Sequence, residues 1–149
     1  MTYNPPPTSQ IITNIVVSNG KVYTRDTLDV GQVVYIDRTY TFNAIPTAYL
    51  GQEFIRTANN DKKVTDPNHL SFDLTVAATV YVAFDVRASV LPAWLESTWV
   101  LTGDIIGTTD VSRRVYRKDF ASGTVTLGGN GMAPMQGAGS NYNVFAIAR

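Results

Sequence analysis

The 149-residue chain is long enough for one domain with a core of its own. Its 12 basic residues balance its 12 acidic ones, which removes the electrostatic footprint that nucleic acid or an anionic membrane surface calls for. There is no cysteine, so disulfides, thiolate catalysis and cysteine metal sites are excluded, and no apolar run approaches the ~20 residues of a membrane span.

Residues 1–10, with their three consecutive prolines, read as an extended linker remnant ahead of one domain over 11–149. The chain closes on NYNVFAIAR, almost on a strand, so the expectation is one module of a longer protein. Between these ends the signals are β throughout. Ile12–Val17 is a strand, and Asn19-Gly20 after it is a hairpin turn signal with the return strand at 22–24. Strands follow at 33–36, 40–45 and 53–57. Leu70, Phe72 and Leu74 alternate with Ser71 and Asp73 in another. In the next, Val80, Val82, Phe84 and Val86 point to a core while Tyr81, Ala83, Asp85 and Arg87 point away. Pro92 opens a helical turn at 91–97. A short strand at 99–101 follows, then two at 115–120 and 124–127 joined by a Ser122-Gly123 turn, and a last one at 142–148. About ten short strands without a fixed repeat predict an all-β, two-sheet antiparallel β-sandwich, jelly-roll-like, with an immunoglobulin-like sandwich second.

Catalytic constellations are weak. His69, the sole histidine, starts a strand, with no nucleophile-elbow motif anywhere in the chain, and a structural role is expected for it. Asp85, Glu96 and Asp104 lie close enough in sequence to suggest a carboxylate pair, but turn and surface roles are the default. The stretch 128–139, GGNGMAPMQGAG, lacks the Gly-Lys-Ser/Thr of a phosphate loop and reads as a long connection that could rim a site, with Asn130, Met132 and Met135 as contacts. The loop 59–68 carries asparagine and aspartate oxygens suited to calcium, with Asp61 and Asp66 as first ligands. Its spacing is not that of an EF-hand, Lys62-Lys63 put positive charge in its middle, and Asn and Asp also form turns. No cofactor is expected.

The stretch 79–103 carries the strongest signal for recognition. It runs from a central strand into the connection that holds both tryptophans, Trp94 and Trp99. A sugar ring packs its C–H face on an aromatic plate, and Asp85 and Arg87 at the strand end could supply hydrogen bonds. The opposing reading puts one or both indoles in the core.

The segments VVYIDRTYTF, GQEFIRTANNDK, LSFDLTVAATVYVAFDVR, LPAWLESTWVLTGD and VYRKDFASGTVTLGGN together resemble a β-sandwich domain found attached to secreted bacterial polysaccharide-degrading enzymes. The resemblance covers the chain from about Val33 onward. It implies a non-catalytic carbohydrate-binding module, secreted as part of a larger protein, with a polysaccharide and a parent catalytic domain as partners. The site expected on the residues is Trp94, Trp99, Asp85, Arg87 and Asn130. The alternative is a structural sandwich that packs on a neighbouring domain.

Overall fold

In the computed structural model, residues 10–149 are described; the expected linker falls almost wholly outside them. Among the described residues, ten strands form two antiparallel sheets: β1 (Ile12–Val17), β2 (Thr24–Thr27), β3 (Phe42–Ala44), β4 (Glu53–Arg56), β5 (Leu70–Leu74), β6 (Ala78–Asp85), β7 (Val100–Thr108), β8 (Arg113–Phe120), β9 (Gly123–Leu127) and β10 (Asn143–Ala148). The smaller sheet has the order β1-β5-β9, and the larger β2-β4-β10-β6-β8-β7-β3. A helix, α1 (Ala93–Thr98), lies between β6 and β7. The all-β sandwich read from the sequence is thus the fold. Among the described residues no helix is long and apolar enough to cross a membrane.

Alternation places Val80, Val82 and Phe84 of β6 in the core between the sheets, against Ile12, Leu70, Phe72 and Val125. Each such side chain contributes about 1.5–3 kcal/mol on burial. The expectation that the other face of β6 is free of core is corrected. Ala83 is buried, and Tyr81 packs on a second apolar cluster built from Phe54, Val115 and Phe145 of the same sheet. The cover on that side is the irregular segment 28–49, which contributes Leu28, Val34, Tyr35, Phe42 and Tyr49. A period-two reading finds one buried face; a layer made of loop carries no period to reveal the second.

Two expected hairpins are also corrected. The Asn19-Gly20 turn forms, with Gly20 at φ 78° and its N–H on the Val17 carbonyl. Yet β1 pairs with β5, and β2 with β4. Likewise β8 pairs with β6 and β7, while β9 pairs with β5. Both turns carry the chain from one sheet to the other. Residues 33–36 form only isolated bridges, to Thr41 and Thr57.

Candidate functional site

Strand β6 ends at Asp85, and this residue determines how the next connection is held. The Asp85 side chain is fully buried. Its Oδ1 accepts from the Arg87 backbone N–H at 2.8 Å and Nε at 3.0 Å, and its Oδ2 from Arg87 Nη2 at 2.7 Å. Oδ2 also accepts the backbone N–H groups of Gly139, at 2.8 Å, and Ser140, at 3.0 Å. Burial opposes ionisation here, but the Arg87 guanidinium and the converging backbone donors outweigh it, so the carboxyl titrates below its ordinary range. The pair joins the β6–α1 connection to the glycine-rich connection before β10. A second tie follows at once: Ser89 N–H donates to the Gln136 carbonyl, and Gln136 N–H to that of Val90, both at 2.9 Å.

Asn130 lies on the same connection and is fully buried. Its Nδ2 donates to the carbonyls of Lys62, at 3.0 Å, and Ser140, at 3.3 Å. Asn130 therefore ties the two ends of its own connection to each other and to the 59–68 loop beneath the surface.

Trp94 and Trp99 are half-buried and both pack against the inter-sheet core. Their rings meet edge to face at 6.2 Å, Trp94 meets buried Tyr142 at 5.5 Å, and Trp99 meets Phe120 at 5.8 Å. Leu95, fully buried, anchors the same helix. The indoles thus hold α1 down on the end of the sandwich.

The opposite side of α1 faces a groove of about 660 Å³. Residues 88–91 form one wall, Ala93, Glu96 and Ser97 of α1 another, Arg114 and Tyr116 of β8 the floor, and Pro134 closes it. The volume is that of a small-ligand site. The groove exists because the three-stranded sheet leaves β8 uncovered and only α1 reaches over it. Arg114 pairs across the strands with Phe84 and Ile105, and Tyr116 with Val82 and Leu101, so these side chains share one face. Of the residues singled out in the sequence, Asp85, Arg87 and Asn130 brace the groove wall and the tryptophans brace its helix; none of the five lines it. Arg114 and Tyr116 were missed. The signal was present as RRVYRK, an alternation that puts Arg114, Tyr116 and Lys118 on one face, but it lies apart from the tryptophans in sequence.

In the loop weighed as a calcium site, protein donors take up the acidic side chains. Asp61 is buried, and its carboxylate accepts from Asn19 Nδ2 at 2.9 Å, Lys21 Nζ at 2.7 Å and the Tyr23 hydroxyl at 2.5 Å. Asp66 accepts the Asn68 backbone N–H at 2.8 Å in a local turn. Among the described residues no three His, Cys, Asp or Glu side chains gather in a metal-ligating group. His69 is fully buried and continues the Asp61 network. Since Tyr23 donates to Asp61, its oxygen receives the His69 Nε2–H at 2.9 Å, leaving Nδ1 to accept from the Ser18 hydroxyl at 2.8 Å. The chain of bonds ties the first turn to β5, the structural role expected of this histidine.

No protein-family model matches this chain, and no curated protein does. The solved structures that share its fold include two glycoside hydrolases. A β-glucuronidase from glycoside hydrolase family 2 superposes with a TM-score of 0.81 at 23% identity, over 95% of this chain and 15% of that one. A GH138 enzyme targeting pectin rhamnogalacturonan II superposes with a TM-score of 0.57 at 14% identity, over 97% of this chain and 17% of that one. The chain therefore spans about a sixth of either enzyme, and it shares the fold of a β-sandwich portion of two glycoside hydrolases.

Proposed function

We propose that this chain is a non-catalytic, carbohydrate-binding β-sandwich of a longer, secreted carbohydrate-active protein, and that the groove under α1 takes the sugar. The carrying observation is the fold match: nearly the whole chain corresponds to a minor part of a β-glucuronidase chain. The groove supports it with the mixture a sugar needs, apolar walls at Val90, Leu91 and Ala93 over the largely buried Tyr116, and the polar groups of Ser89, Glu96, Ser97 and Arg114 around them. In this reading Trp94 and Trp99 act by fixing α1, and Asp85, Arg87 and Asn130 by fixing the wall. Tethering to polysaccharide raises the local substrate concentration for a linked catalytic domain, so weak affinity suffices. The test is affinity electrophoresis of the domain against a polysaccharide panel, with the groove-filling Ala93→Trp beside the wild type. Retardation by at least one glycan, weakened in the variant, supports the reading; no retardation by any glycan rejects it.

A second reading, a structural sandwich docked on a neighbouring domain, has its own observation. Leu101 and Ile105 of β7 are 51% and 46% exposed, on the face they share with the groove. Apolar side chains left open side by side favour a protein neighbour.

A further inference from the structure

Resting on the groove as the sugar site, we infer that its ligand is acidic: a sugar carrying a carboxylate, such as a hexuronate, held by Arg114. Most arginines here already have acidic partners. Arg56 pairs with Asp26 at 3.1 Å, Arg87 with Asp85 at 2.7 Å, Arg113 with Asp110 at 3.8 Å and Arg149 with Asp119 at 3.9 Å. Arg25 lies 3.6 Å from Glu53, and Arg38 lies 3.6 Å from Asp37. Arg114 is exposed in the groove and, among the described residues, has neither an ion pair nor a side-chain hydrogen bond. Arg117, likewise without such a partner, lies outside the groove lining. A guanidinium is a planar fork that matches a carboxylate with two parallel bonds, and it is weakly hydrated enough to leave water for one.

Position adds to composition. Arg114 and Tyr116 are two apart on β8, so their backbones lie about 6.6 Å apart on one face. One pyranose ring spans that interval: seated over the Tyr116 end of the floor, where the tyrosine is itself only 8% exposed, it brings its exocyclic carboxylate to Arg114. Glu96 lines the same groove and forms no ion pair with Arg114 within 4.0 Å. Its negative charge repels the ligand's carboxylate from the α1 wall and directs it to Arg114, while it accepts hydrogen bonds from ring hydroxyls. The acidic partner of this groove is therefore set by one cation at one end.

The experiment uses a matched pair of ligands: an oligogalacturonate and the same oligosaccharide with its carboxyl groups reduced to alcohols. Titration calorimetry at low salt measures both against wild type, Arg114→Gln and Glu96→Gln, with thermal melts confirming that each variant folds. Wild type is expected to bind the acidic member at least tenfold more tightly. Arg114→Gln should lose that preference yet keep its affinity for the reduced member. Glu96→Gln should keep or widen the preference. Equal affinity for the two ligands in wild type, or a preference that survives Arg114→Gln, overturns the acidic assignment while leaving a sugar site standing. Absence of binding to either, together with absence of binding across the polysaccharide panel, overturns both.

Discussion

Trp94 Nε1 donates a hydrogen bond of 3.0 Å to the carbonyl of Gly129, and this bond fastens α1 to the glycine-rich connection 35 residues further along the chain, beyond β7, β8 and β9. The glycines are required there. A Cβ on Gly128 would stand 2.5 Å from Trp94 Cδ1, and one on Gly129 would stand 2.0 Å from the backbone oxygen of Val64. The aromatic ring and two bare backbones interlock, and one wall of the groove depends on the result.

Trp94→Ala should therefore destabilise the domain by about 3 kcal/mol, the lower part of the range for core tryptophans because the indole is half-buried. Gly129→Ala should be at least as harmful, because its methyl meets backbone that cannot rotate aside. Urea unfolding reads both as a lower midpoint. A Trp94→Ala protein of unchanged midpoint that loses glycan binding would make the indole a contact rather than a brace.

The Asp85 clamp makes an asymmetric prediction. Asp85→Asn leaves the guanidinium without its anion and sets an amide N–H₂ against N–H donors of Arg87 or of Gly139 and Ser140. It should cost about 2–3 kcal/mol, the scale of leaving buried or charge-assisted hydrogen bonds unmade. Arg87→Ala should cost far less, about 1 kcal/mol, because that side chain is 49% exposed and the backbone donors remain. Equal costs would place the stabilisation in the ion pair itself rather than in the loop closure by Gly139 and Ser140.

The strand pattern was legible because β5 and the first half of β6 alternate between buried and half-buried residues, and the sandwich followed from it. Pairing was not legible. The turns at Asn19-Gly20 and Ser122-Gly123 have hairpin chemistry, yet the strands beside them lie in different sheets, and local turn preference carries no information on which sheet a strand joins. The site was half legible. The connection after β6 was singled out by its tryptophans, but a half-buried indole and an open one have the same letter. Arg114 and Tyr116 reach the groove through pairing with β6 and β7, a long-range fact that spacing along the chain does not contain.

Acid should weaken the fold in two stages. Burial of the His69 ring, against the opposing pull of Asp61 and Asp66, lowers its pKa below the ordinary 6.5. Between its folded value and 6.5 the unfolded chain therefore binds more protons, and stability falls as pH drops through that window. For Asp61, burial raises the pKa, but hydrogen bonds from Lys21 and Tyr23 overcome it and leave it below 3.8. Its contribution is present above 3.8 and is lost as pH falls through the folded value. Melting temperatures from pH 8 to 3 should show both stages, and His69→Gln should remove the first alone. A wild-type melting temperature that is flat from pH 7 to 5 contradicts this assignment.

Metal removal should leave the domain unchanged. Asp61 already accepts three donors, one of them the Lys21 ammonium, and Asp66 is engaged in its own turn. A divalent cation would have to displace Lys21 before it could bind. Chelation followed by thermal melting should show no shift; a fall restored by calcium, and absent in Asp61→Asn, would mean that the loop rearranges around the ion.

The two readings of the groove face separate at Ala93 and at β7. Ala93 is exposed on α1 and lines the groove, so Ala93→Trp places a large ring in the cavity without removing any core contact. Under the sugar reading, glycan affinity should fall at least tenfold while the melting temperature stays within about 2 °C, the shift that roughly 0.5 kcal/mol gives a domain of this size. Leu101→Ser with Ile105→Ser changes side chains that are about half exposed and removes the apolar flank beside the groove. In the sugar reading this double change leaves glycan retardation nearly intact, because neither residue lines the cavity. In the docking reading it has no effect on the isolated domain but loosens it from its neighbour in the full-length protein, seen as faster proteolysis between the two. Loss of glycan binding in Ala93→Trp together with unaltered proteolysis in the β7 variant selects the sugar site; the reverse pair of results selects the docking surface.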